Sequence, residues 1–172
     1  MQKTFFIADT HFGHKAIIDY ENRPFSSVEE MDEVLISNWN SVVGKDDRVF
    51  MLGDFSFYGK RDAIMLILRR LNGRKSLVVG NHDTSHSAAW WRSVGFDEAY
   101  KYPIILDGFL ILSHEPMYIN TNMPYANIFG HVHGRPEYRD LSPQTFCVSV
   151  ERIGYRPLEL DEVKRRIREA MK

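Results

Sequence analysis

Eight side chains that can bind a metal ion or transfer a proton follow five short apolar runs of this 172-residue sequence. In α/β proteins, ligands bind in the crevice outside the carboxyl ends of the strands. A single His or Asp after a strand is usually an ordinary turn residue. Five strand ends of the same kind instead predict one shared site, built from Asp9, His11, Asp54, Asn81, His82, His114, His131 and His133.

The spacing and the chemical types of these residues indicate metal ions. The pairs Asp9-x-His11 and His131-x-His133 each skip one residue, which places both side chains on one side of an extended chain. Carboxylate, imidazole and amide groups without a thiolate suit Mn, Fe, Zn, Ni or Co rather than a cysteine-type structural zinc site. Without His82, seven ligands remain, too many for one tetrahedral ion. They suit two ions about 3.5 to 4 Å apart with a carboxylate between them, an arrangement that can act on a phosphoryl group.

The apolar runs predict the strands that position these residues. Strands are expected in FFIAD, RVFMLGD, KSLVVGNHD, FLILSH, NIFGHVH and TFCVSV. Several runs are apolar at consecutive positions, which is typical of strands that are covered on both faces. Around Asp107-Gly108, the flanks KYPIIL and FLILSH predict a β-hairpin, so we expect mixed rather than purely parallel sheets.

Four helices are predicted between and after these strands. Ser27 and Glu30 form a capping-box signature, and the helix that follows has apolar residues at helical spacing until Gly44. Further helices are predicted at residues 61–71, 87–94 and 161–172. The chain has no internal repeat, linker or low-complexity tract, so we expect one α/β domain over residues 1–172.

The motifs resemble those of the calcineurin-like metallophosphoesterases. The family pattern DxH, GD, GNHD, H and GHxH occurs here in order between residues 9 and 133. The resemblance implies two mixed β-sheets packed face to face, flanked by helices in a four-layer sandwich. It also implies one metal on Asp9, His11, Asp54 and His133, and a second on Asp54, Asn81, His114 and His131. Asp54 then bridges the two ions, and His82 is the acid for the leaving group.

One position departs from the better-known subgroups of this family. Three residues after the bridging carboxylate, protein phosphatases have an Asp and purple acid phosphatases have a metal-binding Tyr, whereas this chain has Phe57. Both subgroups are disfavoured, and the usual partner that orients His82 is missing. Asp83 or an unidentified group is expected to serve instead. In its length and in the segments DTHFGH and NRPF, the chain is most similar to small prokaryotic and phage members of the family.

Composition excludes several other functions. The chain has 22 Lys and Arg against 23 Asp and Glu, a formal charge of -1, and no long run of like charges. A dedicated polyanion-binding or membrane-surface protein is therefore disfavoured, and a nucleic-acid polymer is an improbable substrate. The apolar start ends at Asp9, so we expect neither a signal peptide nor a membrane helix there. The one cysteine, Cys147, predicts a buried thiol in a reducing, cytoplasmic environment.

Three further residues are predicted to contact substrate. His14 follows His11 by three residues, although a plain loop role is equally compatible with its position. Arg23 in NRPF and Arg135 after GHVHG offer guanidinium groups that fit phosphate oxygens, with a surface ion pair as the alternative for each.

These predictions combine into a dinuclear metal-dependent phosphoesterase. The expected reaction is hydrolysis of a phosphodiester in a small phosphate-ester substrate by in-line attack of metal-bound hydroxide, with His82 protonating the leaving oxygen. Two divalent ions are expected, Mn first, with Fe, Zn, Ni or Co as alternatives. The alternative functions are a nucleotide phosphomonoesterase, a nuclease, and a non-catalytic protein-binding scaffold on the same fold.

Overall fold

The computed structural model describes residues 2–136 and 142–170. These residues form a five-stranded sheet in the order β4-β3-β2-β1-β9. Four of these strands are parallel, and the short β9 pairs antiparallel with β1. The strands are β1 (Thr4–Ile7), β2 (Arg48–Met51), β3 (Arg74–Val78), β4 (Glu98–Tyr100) and β9 (Leu158–Glu159). β4 and β9 were not predicted.

The second sheet has four strands in the order β5-β6-β7-β8. β5 and β6 form the predicted antiparallel hairpin, and the other neighbours are parallel. At the hairpin turn, Asp107 and Gly108 both have positive φ, 53° and 79°, as a tight two-residue turn requires. The strands are β5 (Ile104–Leu106), β6 (Leu110–Leu112), β7 (Ala126–Phe129) and β8 (Thr145–Cys147). The prediction of two mixed sheets is confirmed.

The described part of the chain contains five α-helices, and four of them correspond to predicted ones. The Ser27 hydroxyl accepts a hydrogen bond from the Glu30 N–H at 3.1 Å, so the predicted cap begins the second helix. The first helix has only five residues and was not predicted. Residues 171 and 172, at the end of the last predicted helix, lie outside the described residues. The helices are α1 (Ala16–Tyr20), α2 (Val28–Val42), α3 (Arg61–Arg70), α4 (Ala88–Val94) and α5 (Leu160–Ala170).

The five-stranded sheet is buried on both faces, as the continuous apolar runs predicted. Alternate residues of β1 point to opposite sides: Phe5 and Ile7 pack in the core with α2, α3 and α4, while Phe6 packs in the core between the sheets. All three side chains are at most 3% exposed. Helix α5 contacts β1, β8 and β9 and so adjoins both sheets. Among the described residues, no helix is both long and apolar enough to cross a membrane.

Candidate metal centre

The predicted ligands lie where the strands of both sheets end, and most of them sit on unusual backbone. A positive φ is uncommon for residues other than glycine and typically costs about 1–3 kcal/mol, so it persists where the surrounding structure enforces it. Five of the seven predicted metal ligands have φ between 48° and 71°. The strained positions are Asp9, His11, Asp54, His131 and His133.

Two glycines allow these strand ends to approach one another. A Cβ on Gly80 would overlap the carboxylate and backbone nitrogen of Asp54, and a Cβ on Gly53 would overlap the imidazole of His114. Any larger residue at either position would push a predicted ligand out of place. The glycines of the GD and GNHD motifs therefore have a steric role in closing the site.

A first group of ligand atoms is formed by Asp9, His11 and His133. One ligand atom from each of these side chains lies within 4.8 Å of the others. The Nε2 atom of His11 is buried and has no hydrogen-bond partner among the described residues, although its Nδ1 atom lies 3.1 Å from Nδ1 of His14. An unpaired buried nitrogen beside a carboxylate and a second imidazole fits coordination of a divalent cation.

A second group is formed by Asp54, His114 and His131, again with ligand atoms within 4.8 Å. The Nδ1 atom of His114 lies 2.8 Å from the Leu52 carbonyl, so it donates, and the Nε2 lone pair faces the site. That Nε2 atom is 2.8 Å from Oδ1 of Asn81 and 3.1 Å from Nδ1 of His131. Two acceptors at 2.8 Å repel each other unless a cation or proton lies between them. This set of ligand atoms therefore fits a metal ion.

Asp54 lies between the two groups. Its Oδ2 atom is 3.6 Å from Nε2 of His11 in the first group and 3.5 Å from Nε2 of His114 in the second. Its side chain is 2% exposed, and its Oδ1 atom accepts a hydrogen bond from the backbone N–H of His82 at 3.0 Å. One oxygen is thus fixed by the backbone while the other faces both groups.

Burial shapes the electrostatics of the first group. Asp9 is fully buried, which raises its pKa to about 6 against the opposing effect of nearby histidines. Burial, together with neighbouring His133 and Arg23, lowers the pKa of His11 far below its usual range. His11 is therefore neutral, the form in which imidazole binds metal.

His82 lies beside the two groups but belongs to neither. Its side chain is 47% exposed, and its Nε2 atom is 3.9 Å from Oδ2 of Asp54. Its ring packs against Phe57, with the ring centroids 4.8 Å apart. An exposed imidazole at the edge of the site can reach a substrate without displacing a metal ligand.

The prediction that Asp83 assists His82 requires correction. Asp83 is fully buried, and its carboxylate accepts hydrogen bonds from the backbone N–H groups of Asp54, Phe55 and Gly80 at 2.8 to 3.1 Å. Burial raises its pKa to about 7 despite these bonds. Asp83 holds the GD and GNHD turns together, and the ring that contacts His82 is that of Phe57.

The site opens into a cavity of about 740 Å³. His14 and Arg135 line it, as the substrate-binding predictions require of them. Arg23 does not: it is 4% exposed, and its guanidinium binds Glu151 and the carbonyls of Asp9 and Thr10. Its predicted contact with substrate phosphate is therefore replaced by a buried ion pair beneath the site.

Two polar residues after β8 were not predicted. The Ser149 hydroxyl donates to Oδ2 of Asp9 at 2.6 Å, and Oε1 of Glu151 lies 3.1 Å from Nδ1 of His133. Ser149 lies near the end of the run TFCVSV and Glu151 directly follows it, so the rule that chemistry collects at strand ends applies to this strand as well. Sequence reasoning missed them because it used that rule only for residues within the ligand motifs.

The fold and the site define a calcineurin-like phosphoesterase. The family profile described as "Calcineurin-like phosphoesterase" matches residues 3–169, and the chain belongs to this family. Members of the family typically bind divalent metals, which agrees with these two groups of ligand atoms; a third group, formed by Glu21, His133 and Glu151, shares His133 with the first.

Relatives of the chain occur in archaea, phages and bacteria. It is 39% identical to "Uncharacterized protein MJ1445" of Methanocaldococcus jannaschii over 94% of this chain and 89% of that protein. "Gene 66 protein" of Mycobacterium phage L5 is 42% identical over 50% of this chain, which spans 42% of the phage protein. The solved structure titled "Protein of Unknown Function AQ665 from Aquifex aeolicus" superposes with a TM-score of 0.76, 26% identity and coverage of 96% of this chain and 99% of that one.

Proposed function

We propose that the protein is a dinuclear metal-dependent phosphoesterase that hydrolyses a phosphodiester in a small substrate. The observation that carries this proposal is the position of Asp54, whose Oδ2 atom lies about equally far from His11 and His114, one from each ligand group. A carboxylate between two ligand groups is the arrangement expected of a two-metal hydrolase.

The chain's own residues supply binding, orientation and a proton. Divalent ions held there would activate water as a nucleophile and neutralise charge on the phosphoryl oxygens. Leu52 and Glu151 fix the orientation of His114 and His133 through their Nδ1 atoms. His82, exposed at the edge of the site, protonates the leaving oxygen. Arg135 on the cavity wall attracts the phosphoryl group.

The charges around the cavity favour a diester over more highly charged substrates. Its described lining includes three carboxylates, Glu21, Asp54 and Glu115, and Arg135 is the one Lys or Arg within that lining. A diester carries a single negative charge, whereas a monoester or nucleotide carries more and would be repelled more strongly. A nuclease is also disfavoured, because binding of a polymer needs a basic stripe.

A non-catalytic scaffold is the alternative from a different class. A scaffold has no need to retain all seven ligand positions together with an exposed imidazole beside them, and this chain has every one. The strain at five of these positions supports the same conclusion, because selection for packing alone would not maintain it.

A substrate panel in the presence of Mn²⁺ tests the proposal. We expect turnover of bis(p-nitrophenyl) phosphate to exceed that of p-nitrophenyl phosphate, with no cleavage of single-stranded DNA. Asp54→Asn should be inactive, and Asp62→Asn, an exposed acid on α3, should match the wild type. Preference for the monoester would assign a phosphomonoesterase, and no turnover of any ester with two metals bound would favour the scaffold.

A further inference from the structure

An ion pair lies beneath the first ligand group. The Nε and Nη2 atoms of Arg23 donate to Oε1 of Glu151 at 2.9 and 2.7 Å, and the side chains are 0% and 7% exposed. A buried charge pair gains little stability over apolar residues of similar volume, because both ions lose their hydration. Its presence at this place calls for another explanation.

Each partner of this pair also contacts the ligand group. Oε1 of Glu151 lies 3.1 Å from Nδ1 of His133. Because a carboxylate accepts, Nδ1 of His133 is the donor, and Nε2 then carries the lone pair that can bind a cation.

Arg23 holds the other side of the same group. Its Nη2 and Nη1 atoms donate to the carbonyls of Asp9 and Thr10 at 2.7 and 3.0 Å. These carbonyls belong to the turn in which Asp9 and His11 have positive φ. The hydrogen bonds from Arg23 to these carbonyls stabilise a backbone conformation that is otherwise unfavourable for these residues.

The second ligand group makes none of these contacts among the described residues. His114 is oriented by the Leu52 carbonyl, and Asp54 by the backbone N–H of His82. The groups do adjoin each other, because the backbone N–H of His131 donates to the Asp9 carboxylate at 2.9 Å and Asp54 faces both groups. Damage to the Arg23–Glu151 pair should therefore weaken the first group more than the second.

We propose that Arg23 and Glu151 form a positioning pair for the cation bound by Asp9, His11 and His133, and that the second cation site depends on this pair less. This inference rests on the proposed metal centre. Outer groups that orient metal ligands are typically worth roughly 10- to 100-fold in metal affinity.

Mn²⁺ titration of the metal-free full-length protein by calorimetry tests this inference without measuring activity. Wild type should bind two Mn²⁺ ions. Glu151→Gln keeps the side-chain shape but removes the charge, and it should weaken one site roughly 10- to 100-fold and the other site much less. Arg23→Lys, which cannot form the two-nitrogen contact, should weaken the same site. Glu33→Gln breaks an exposed Arg–Glu pair, with Arg70, and should change neither site.

A double-mutant comparison separates positioning from general destabilisation. If Glu151 acts through His133, adding Glu151→Gln to His133→Ala should change Mn²⁺ affinity much less than it does in the wild type. Circular dichroism identifies any variant that fails to fold. If Glu151→Gln does not fold, the Mn²⁺ affinity of Arg23→Lys tests the inference instead.

Several outcomes would overturn the inference. Wild-type affinity at both sites in Glu151→Gln, equal weakening of both sites, or fully additive losses with His133→Ala would each do so. A third Mn²⁺ that disappears in Glu151→Gln would make Glu151 a direct ligand instead. Two Mn²⁺ ions without ester hydrolysis would reject the proposed function alone, because the titration would still decide the role of the pair.

Discussion

The imidazole of His14 stacks on the ring of Phe57, with centroids 3.7 Å apart and planes inclined by 12°. The same phenyl ring contacts His82, at 4.8 Å between centroids. Related phosphatases are expected to have an Asp at position 57. Here the position is an apolar ring that packs between His14 and His82, both of which line the cavity.

Phe57→Ala should lower turnover without removing metal. Aromatic contacts of this kind are worth about 0.5–1.5 kcal/mol, so the loss of packing on His82 and His14 predicts roughly a 2- to 10-fold fall in kcat. Steady-state kinetics and metal analysis check this. The kcat of Phe57→Leu, which keeps apolar volume at the site, should fall less. An unchanged rate in Phe57→Ala would exclude a role for the ring.

Asp54→Asn should weaken both metal sites and abolish turnover, because one oxygen of this carboxylate faces both ligand groups. The variant should fold, since Oδ1 can still accept from the His82 backbone N–H. Metal analysis with activity measurement provides the test. A wild-type protein that is fully active with a single bound ion would contradict the bridging role.

His82→Ala should separate chemistry from metal binding, because His82 is in neither ligand group. Loss of a general acid should slow hydrolysis of an alkyl ester by about 10²- to 10⁴-fold, and that of an activated aryl ester much less. Metal content should match the wild type. Equal losses on both esters would remove the role as an acid, and loss of one metal would make His82 a ligand.

Gly80→Ala should destroy the centre, because the new Cβ would overlap the carboxylate and backbone nitrogen of Asp54. We expect weaker Mn²⁺ binding and a lower Tm. Gly59→Ala is the matched control: a Cβ there meets no atom within 4 Å, so both properties should stay unchanged. Wild-type metal binding in Gly80→Ala would show that the turn can adjust.

Alkylating reagents should leave the rate of the folded protein unchanged. Cys147 is 8% exposed, and burial raises the pKa of its thiol, so little reactive thiolate forms near neutral pH. The rate after iodoacetamide treatment is the measurement. Stoichiometric inactivation that substrate prevents would refute this prediction.

Features carried by local pattern could be predicted from the sequence. The long apolar runs, the Ser27 cap and the Asp107-Gly108 turn each specify structure within a few residues, and the ligand motifs fixed the candidate site. Short elements such as α1, β4 and β9 were missed because tertiary pairing, rather than local propensity, forms them. Arg23 and Asp83 were misplaced for a related reason: neither residue carries a sequence signal of burial, and several of their partners, such as Glu151 for Arg23 and Asp54 for Asp83, lie far away in the chain.

The positive φ angles of the ligands bear on how this sequence can change over time. His131 is exposed and binds Asp9 through its backbone N–H, so glycine at this position would relieve the strain and keep that hydrogen bond. Asp9 and Asp54 differ, because their buried carboxylates accept hydrogen bonds from the Ser149 hydroxyl and the His82 N–H, and glycine would leave these donors unpaired. A lineage that lost its need for the reaction would therefore be expected to replace His131 before Asp9 or Asp54.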